Sequence, residues 1–269
     1  MDVAPSHVPS SVVVGIDGSD AAIAAALWAA DEAIARDVPL RLIHAADSTV
    51  MPSGPGQDFR RHLMDAEPML RAAAAAVAAT GKTVKVESSV VTAGPRAGLI
   101  SESRAAELVC VGSLGIPRVG HVLGSTAAAL GNAAFCPVAI ICPDDTRSTP
   151  GGGWIVVSVD NSPDSDLIIK TGFFEAGLRN APLMALGVGA ALTSGERLDH
   201  RLKSWRHRFP EVRVHTMRAP GGVAEFIAES PEPIQLAVIG SGQLAPLTRF
   251  IPDAAISVAD LCSLLVVRR

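Results

Sequence analysis

Ser11-Val12-Val13-Val14-Gly15-Ile16-Asp17-Gly18-Ser19 near the start of the chain is echoed by Trp154-Ile155-Val156-Val157-Ser158-Val159-Asp160-Asn161-Ser162 in its second half. Each is a short apolar, β-branched run stopped by an Asp-X-Ser turn. A run of this kind without alternation reads as a strand covered on both faces, the situation of a parallel sheet flanked by helices. After Ser19 the spacing predicts a helix capped by Ser19 or Asp20, with Ile23, Leu27, Ala30 and Ile34 on its inner face. Strands at 40–45, 84–91, 108–111 and 138–142 then alternate with helices at 59–80, 96–106 and 126–134, and residues 47–58 form a Pro/Gly/Ser-rich loop. The same series restarts at Trp154, with strands at 183–188, 212–217, 236–239 and 264–267. Regular alternation of strand and helix gives an α/β fold with a parallel sheet. Its repetition is an internal duplication. The expected organisation is a first domain over 1–143, a linker over 144–153 and a second domain over 154–269.

Composition narrows the function classes. Apolar residues make up 48% of the 269-residue chain and charged residues 19%, enough apolar surface for packed cores. The net charge of −4, the lack of a basic cluster serving as a phosphate-tracking patch, and the absence of Tyr all argue against a nucleic-acid partner. No apolar run approaches the roughly 20 residues of a membrane span. The amino-terminal residues lack the basic start and apolar core of an export signal. The expected location is the cytoplasm. Cys110, Cys136, Cys142 and Cys262 show no metal-binding spacing and read as mostly buried thiols in a reducing compartment.

Ligands of open parallel sheets bind beyond the carboxyl ends of the strands, where the strand order reverses. In the first half those ends carry Asp17, Ala45 and Gly112. From Gly112 the chain runs through Ser113, Gly115 and Gly120 to Gly124-Ser125-Thr126, where a helix begins. Glycines admit close backbone approach to an anion, helix-start amides carry partial positive charge, and the hydroxyls add donors. This is a phosphate cradle without a P-loop lysine. Asp17 is placed to accept a hydrogen bond from an adenine amino group or a ribose hydroxyl. The alternative for Asp17 and its counterpart Asp160 is a purely local role as a helix cap. His44 and His121 lie nearby with no carboxylate partner in sequence. His200 and His207, with Arg201, Lys203, Arg206 and Arg208, read as a solvated helix face.

These motifs resemble the universal stress protein family in tandem form. The residues that carry the resemblance are Val14 to Ser19, His44-Ala45-Ala46-Asp47, Gly94-Pro95, Val111-Gly112-Ser113-Leu114-Gly115 with Gly124-Ser125, and Cys136-Pro137-Val138. It implies two Rossmann-like units of the adenine nucleotide alpha hydrolase type, each a five-stranded sheet in the order 3-2-1-4-5. It also implies the two units packing as an intrachain pseudo-dimer through antiparallel last strands, with a homodimer as a further possibility. ATP, accompanied by Mg2+, would contact Asp17 and Ala45 through the adenosine, and Gly112, Gly115, Gly124, Ser125 and Thr126 through ribose and phosphates. The interval from Gly115 to Gly124 is one residue shorter than in the family's ATP-binding pattern. In the second half Gly240-Ser241-Gly242-Gln243 lacks the second motif glycine and Arg249 to Ala255 contains no Gly-Ser pair, so it is expected to bind weakly or not at all. The function implied is a non-catalytic, ATP-binding stress regulator that signals to a protein partner. The alternatives are a nucleotide-free interaction protein and, last, a slow ATPase.

Overall fold

A computed structural model describes residues 10–46, 55–113, 124–143, 153–189, 195–247, 250–251, 256–257 and 262–268. The first half contains β1 (Ser11–Gly15), α1 (Asp20–Arg36), β2 (Leu40–Ala45), α2 (Pro55–Ala79), β3 (Val86–Val91), α3 (Pro95–Glu102), β4 (Ala106–Gly112), α4 (Ser125–Ala133) and β5 (Val138–Ile141). The second contains β6 (Trp154–Val159), α5 (Ser165–Leu178), β7 (Leu183–Gly187), α6 (Gly195–Arg208), β8 (Val214–Arg218), α7 (Val223–Glu229) and β9 (Ile234–Gly240). A single 3-10 turn at Ser241–Gln243 leads into α8 (Leu244–Leu247), a ribbon of β10 (Phe250–Ile251) and β11 (Ile256–Ser257), and β12 (Ser263–Val267). The turn, α8 and the ribbon are not legible in the apolar pattern, because each is too short to show its period.

The strands form one ten-stranded sheet in the order β3-β2-β1-β4-β5-β12-β9-β6-β7-β8. Within each half the pairing is parallel and follows the expected 3-2-1-4-5 order. The halves meet through the antiparallel pair β5–β12, with Leu264 opposite Ile140, Leu265 opposite Ala139 and Val266 opposite Val138. The Cys142 amide extends this ladder by donating to Ser263 Oγ at 3.1 Å.

Helix α1 corrects the expected inner face. Ile34 is 44% exposed, while Ala21, Ala22, Ala25, Ala26, Ala29, Ala30 and Ala33 are buried. Small side chains let the helix lie close on the sheet, and that close approach decides which stripe faces inward. Ser19 caps the helix as expected, its Oγ accepting from the Ala22 amide at 3.2 Å. Asp37 ends it in the left-handed region, with φ 54°.

The two halves also share a buried ionic cluster. Glu32 on α1 and Glu175 on α5 are both fully buried. Arg36 donates to Glu32. Arg179 donates to Glu32 Oε1 at 2.6 Å and to Glu175 Oε2 at 2.5 Å. The two guanidiniums lie over apolar rings of the opposite half, Arg179 at 4.4 Å from Trp28 and Arg36 at 5.0 Å from Phe174. Elsewhere on the joint, Leu244 packs against Gly131 of α4 so closely that a Cβ on Gly131 would stand 2.3 Å from its Cδ2. Arg268 donates to the carbonyls of Gly131 and Ala134, satisfying the carboxyl end of α4.

Burial pushes the Glu175 carboxyl up to about 8; Arg179 and Arg36 oppose the shift and the nearby Glu32 carboxylate adds to it. Glu175 Oε1 accepts from no donor. In the protonated acid it becomes the donor to Glu32. The folded state then holds a proton that the unfolded chain releases above the ordinary carboxyl range. Stability therefore falls as pH rises from about 4.5 to about 8. Urea titrations across this window are expected to show that fall, with a slope of at most about 1.4 kcal/mol per pH unit from this group. Glu175→Gln, which keeps the hydrogen bond and removes the titration, is expected to flatten it.

Candidate functional site

The first half's strand order reverses between β1 and β4, and three of the candidate residues sit at the carboxyl ends around that point. Asp17 follows β1, Ala45 ends β2 and Gly112 ends β4. Ser113 N donates to Ile141 O at 2.8 Å, and Gly124 N donates to Ser113 O at 2.8 Å. These two bonds pin the start of α4 to the end of β4, so Gly112, Gly124, Ser125 and Thr126 are brought to one place. Gly115, Gly120 and His121, like Asp47 of the loop after β2, lie outside the described residues.

The polar groups of the crevice are held by local bonds. Asp17 Oδ1 accepts from the Ser19 amide at 3.0 Å and from Ser19 Oγ at 2.6 Å. Its other oxygen, Oδ2, has no partner among the described residues. Gly18, at φ +84°, supplies the left-handed residue this turn needs. His44 Nδ1 donates to Ile16 O at 2.8 Å, a bond that fixes the ring across the ends of β1 and β2. Gly124 begins α4 with no side-chain cap. The first-turn amides of α4 therefore have no acceptor from within the helix, and Ser125 and Thr126 add their hydroxyls.

Ser113, which the sequence names only as part of the motif between Gly112 and the glycine loop, is a further candidate. It is 1% exposed, and its Oγ has no hydrogen-bond partner among the described residues. A buried hydroxyl without a partner is a costly exception. The signal in sequence is its neighbourhood; the missing partner can be seen only in the fold.

Two glycines of the motif region answer to packing. A Cβ on Gly112 would stand 2.6 Å from Ala21 Cβ and 2.8 Å from the Ala21 backbone carbon. A Cβ on Gly15 would stand 2.8 Å from Leu99 Cδ1. Ala45 faces α3, since the Cβ position of Gly98 lies 3.4 Å from its own Cβ.

The equivalent crevice in the second half differs. Asp160 Oδ1 accepts from the Ser162 amide at 2.9 Å, matching Asp17 and Ser19. The expected role of Asp160 as a helix cap is corrected: α5 begins at Ser165, its N-cap is Asp164, and no side chain caps it. The Asp160 side chain is instead shared between the Ser162 amide and Gln243, whose Nε2 donates to Oδ2 at 3.3 Å. On α6, Arg201 pairs with Asp166 at 2.9 Å and Arg206 with Asp199 at 3.1 Å, while Leu198 and Leu202 turn inward. His200, Lys203 and His207 are exposed, as a solvated face requires. Burial raises the Cys110 thiol well above its usual range and the Cys136 thiol to about 12, so both behave as small apolar groups. Among the described residues no helix is long and apolar enough to cross a membrane.

A doubly wound sheet with a glycine-lined crevice at its switch point, duplicated and joined through last strands, defines a tandem Rossmann-like protein. Similarity to known proteins makes the class specific. The universal stress protein family model matches residues 10–141. The chain is 42% identical over 268 residues to the universal stress protein Rv2624c of Mycobacterium tuberculosis, covering 96% of each. It is 34% identical over 257 residues to Rv2623 of the same organism, covering 86% of each. A universal stress protein from Archaeoglobus fulgidus superposes with a TM-score of 0.73 over 96% of this chain and 98% of that one, at 16% identity. The chain belongs to the universal stress protein family.

Because the close contact at Gly112 involves the Ala21 backbone, Gly112→Ala is expected to destabilise the ligand-free protein by about 1–3 kcal/mol, the range for overpacking. Chemical denaturation without nucleotide checks this. A loss of that size would show that the glycine is needed for folding before any ligand binds.

Proposed function

We propose that the first half binds ATP at the β1–β4 crevice and that the chain is a non-catalytic stress regulator acting through a protein partner. The observation that carries this reading is the buried, unpartnered Ser113 hydroxyl. Ser113 is bonded through its carbonyl to the Gly124 amide at the start of α4, whose first-turn amides have no side-chain cap, and Asp17, whose Oδ2 has no partner among the described residues, follows the neighbouring β1. These groups fit a nucleotide in kind. Asp17 Oδ2 accepts from an adenine amino group or a ribose hydroxyl. Ser113, Ser125, Thr126 and the first-turn amides of α4 donate to phosphate oxygens, Gly124 starts the helix with no side chain in the way, and Gly112 and Gly115 belong to the same proposed cradle.

Among the described residues no cluster of three or more His, Cys, Asp or Glu side chains is arranged to hold a metal. Mg2+ would therefore rest on the phosphates themselves. Among the described residues, the titratable side chains next to the strand ends, Asp17 and His44, are both engaged with local groups, Ser19 and the Ile16 carbonyl. Neither is paired in the way a general base is oriented, which favours binding over hydrolysis. We read the chain as cytoplasmic, with domains over 1–143 and 154–269 and a linker over 144–153. The shorter Gly115 to Gly124 interval favours one second reading, a nucleotide-free interaction protein on the same fold.

Denaturing the purified protein and assaying the supernatant for adenine nucleotide separates the two. Bound ATP is expected from the natural chain and not from Gly124→Glu, whose backbone, at φ −56°, accepts any residue. No nucleotide, and no binding of added ATP, would leave the second reading standing. Ser113→Ala is expected to bind ATP more weakly while leaving the ligand-free protein equally or more stable, since it removes an unsatisfied buried hydroxyl. A loss of stability without loss of binding would remove Ser113 from the site.

A further inference from the structure

The second half keeps the frame of a ligand crevice and fills it with one of its own side chains. Ser158 near the end of β6, Asp160 just after it and Gly240 at the end of β9 border the point where that half's strand order reverses. All three bond to the carboxamide of Gln243. Ser158 Oγ donates to Gln243 Oε1 at 2.5 Å, and the Gly240 amide donates to the same oxygen at 3.1 Å. Gln243 Nε2 donates to Asp160 Oδ2 at 3.3 Å. The amide orientation follows from its partners, since two donors meet the oxygen and a carboxylate meets the nitrogen.

The contrast with the first half is specific. Gly15, Asp17 and Gly112 stand where Ser158, Asp160 and Gly240 stand in the second half. Asp17 Oδ2 has no partner among the described residues, whereas Asp160 Oδ2 is taken. Ser158 is fully buried, so its hydroxyl depends on Gln243 for satisfaction. A carboxamide presents an N–H donor beside an acceptor. The edge of adenine, with its amino group next to a ring nitrogen, presents the same pair.

We propose that Gln243 is a tethered occupant of the second crevice, standing in for the base of an adenine nucleoside and keeping that crevice closed. The chain then has one nucleotide site instead of two. The count of one rests on the proposed ATP site in the first half; the closure of the second crevice does not. A tethered side chain competes with any free ligand, and the apparent affinity falls by the fraction of time the crevice stands open. A crevice open about a tenth of the time or less weakens binding about tenfold or more.

The test follows backbone amide signals by NMR while adenosine is added. Adenosine is used because the segment from Arg249 to Ala255 has no Gly-Ser pair to hold phosphate. In the natural chain the Ser158 and Gly240 signals are expected to stay fixed. In Gln243→Ala they are expected to shift and saturate, with affinity at that crevice at least about tenfold tighter than in the natural chain. Gln243→Glu keeps the length of the side chain but sets a carboxylate against Asp160, and is expected to open the crevice in the same way. It serves as the second variant should the alanine form fold poorly. Shifts at Ser158 and Gly240 in the natural chain at the same adenosine concentrations would overturn the proposal. So would no shift at these residues in both variants. The Gly112 and Ser113 signals report the first crevice separately. Their failure to move in a parallel titration with ATP would overturn the ATP reading and leave the closure by Gln243 untouched.

Discussion

The antiparallel ladder between β5 and β12 is the joint on which the rest of the molecule depends. A parallel unit wound in the order 3-2-1-4-5 ends on a strand whose outer edge is unpaired, and β5 is a short, wholly buried run of Val138, Ala139, Ile140 and Ile141. Left open, such an edge is a template for association with other chains. Pairing it with β12 removes both inner edges at once and relates the halves by an approximate two-fold. That relation brings like elements together, α1 against α5. It therefore brings like residues together as well, Glu32 with Glu175 and Arg36 with Arg179.

The ionic cluster is a consequence of this geometry. Two buried carboxylates facing each other repel, and each guanidinium can offset only part of the cost of taking them out of water. Protonation of Glu175 resolves the conflict, because an acid can donate where a second carboxylate could not. The same cluster makes the approximate two-fold unequal. Arg179 serves both glutamates, while the hydrogen bond of Arg36 goes to Glu32. A duplicated chain is free to break symmetry in this way, since each copy of a residue is encoded separately. The two crevices show that freedom on a larger scale, one with an open acceptor and a buried hydroxyl to satisfy, the other with both kinds of group satisfied by Gln243.

The sheet is largely legible in the sequence. Strands buried on both faces need continuous apolar runs, and 40–45 and 154–159 match the observed β2 and β6 to the residue. The duplication supplies the two-unit organisation, and the resemblance supplies the strand order within each unit and the antiparallel joint. What escapes depends on contacts between residues distant in the chain. The inner stripe of α1 is alanine because of how close the sheet lies, which hydrophobicity does not encode. Asp160 looks like a helix cap because local spacing allows one. Its actual partner, Gln243, is far away in sequence and arrives by way of β9. Ser113 is one more residue of the motif until the fold shows its buried hydroxyl without a partner among the described residues.

Glycine motifs carry two physical meanings that sequence alone does not separate. Gly112 and Gly15 fit a phosphate-binding pattern, but their missing side chains already make room for Ala21 and Leu99. A fold that had lost its ligand would still require them. Gly240 shows the point directly: it is retained at the end of β9, and its amide serves Gln243. The glycines therefore belong to the frame that both halves share, and the polar groups without partners among the described residues mark where the two crevices differ. By that criterion Ser113 and Asp17 Oδ2 discriminate between the halves, and the glycines do not.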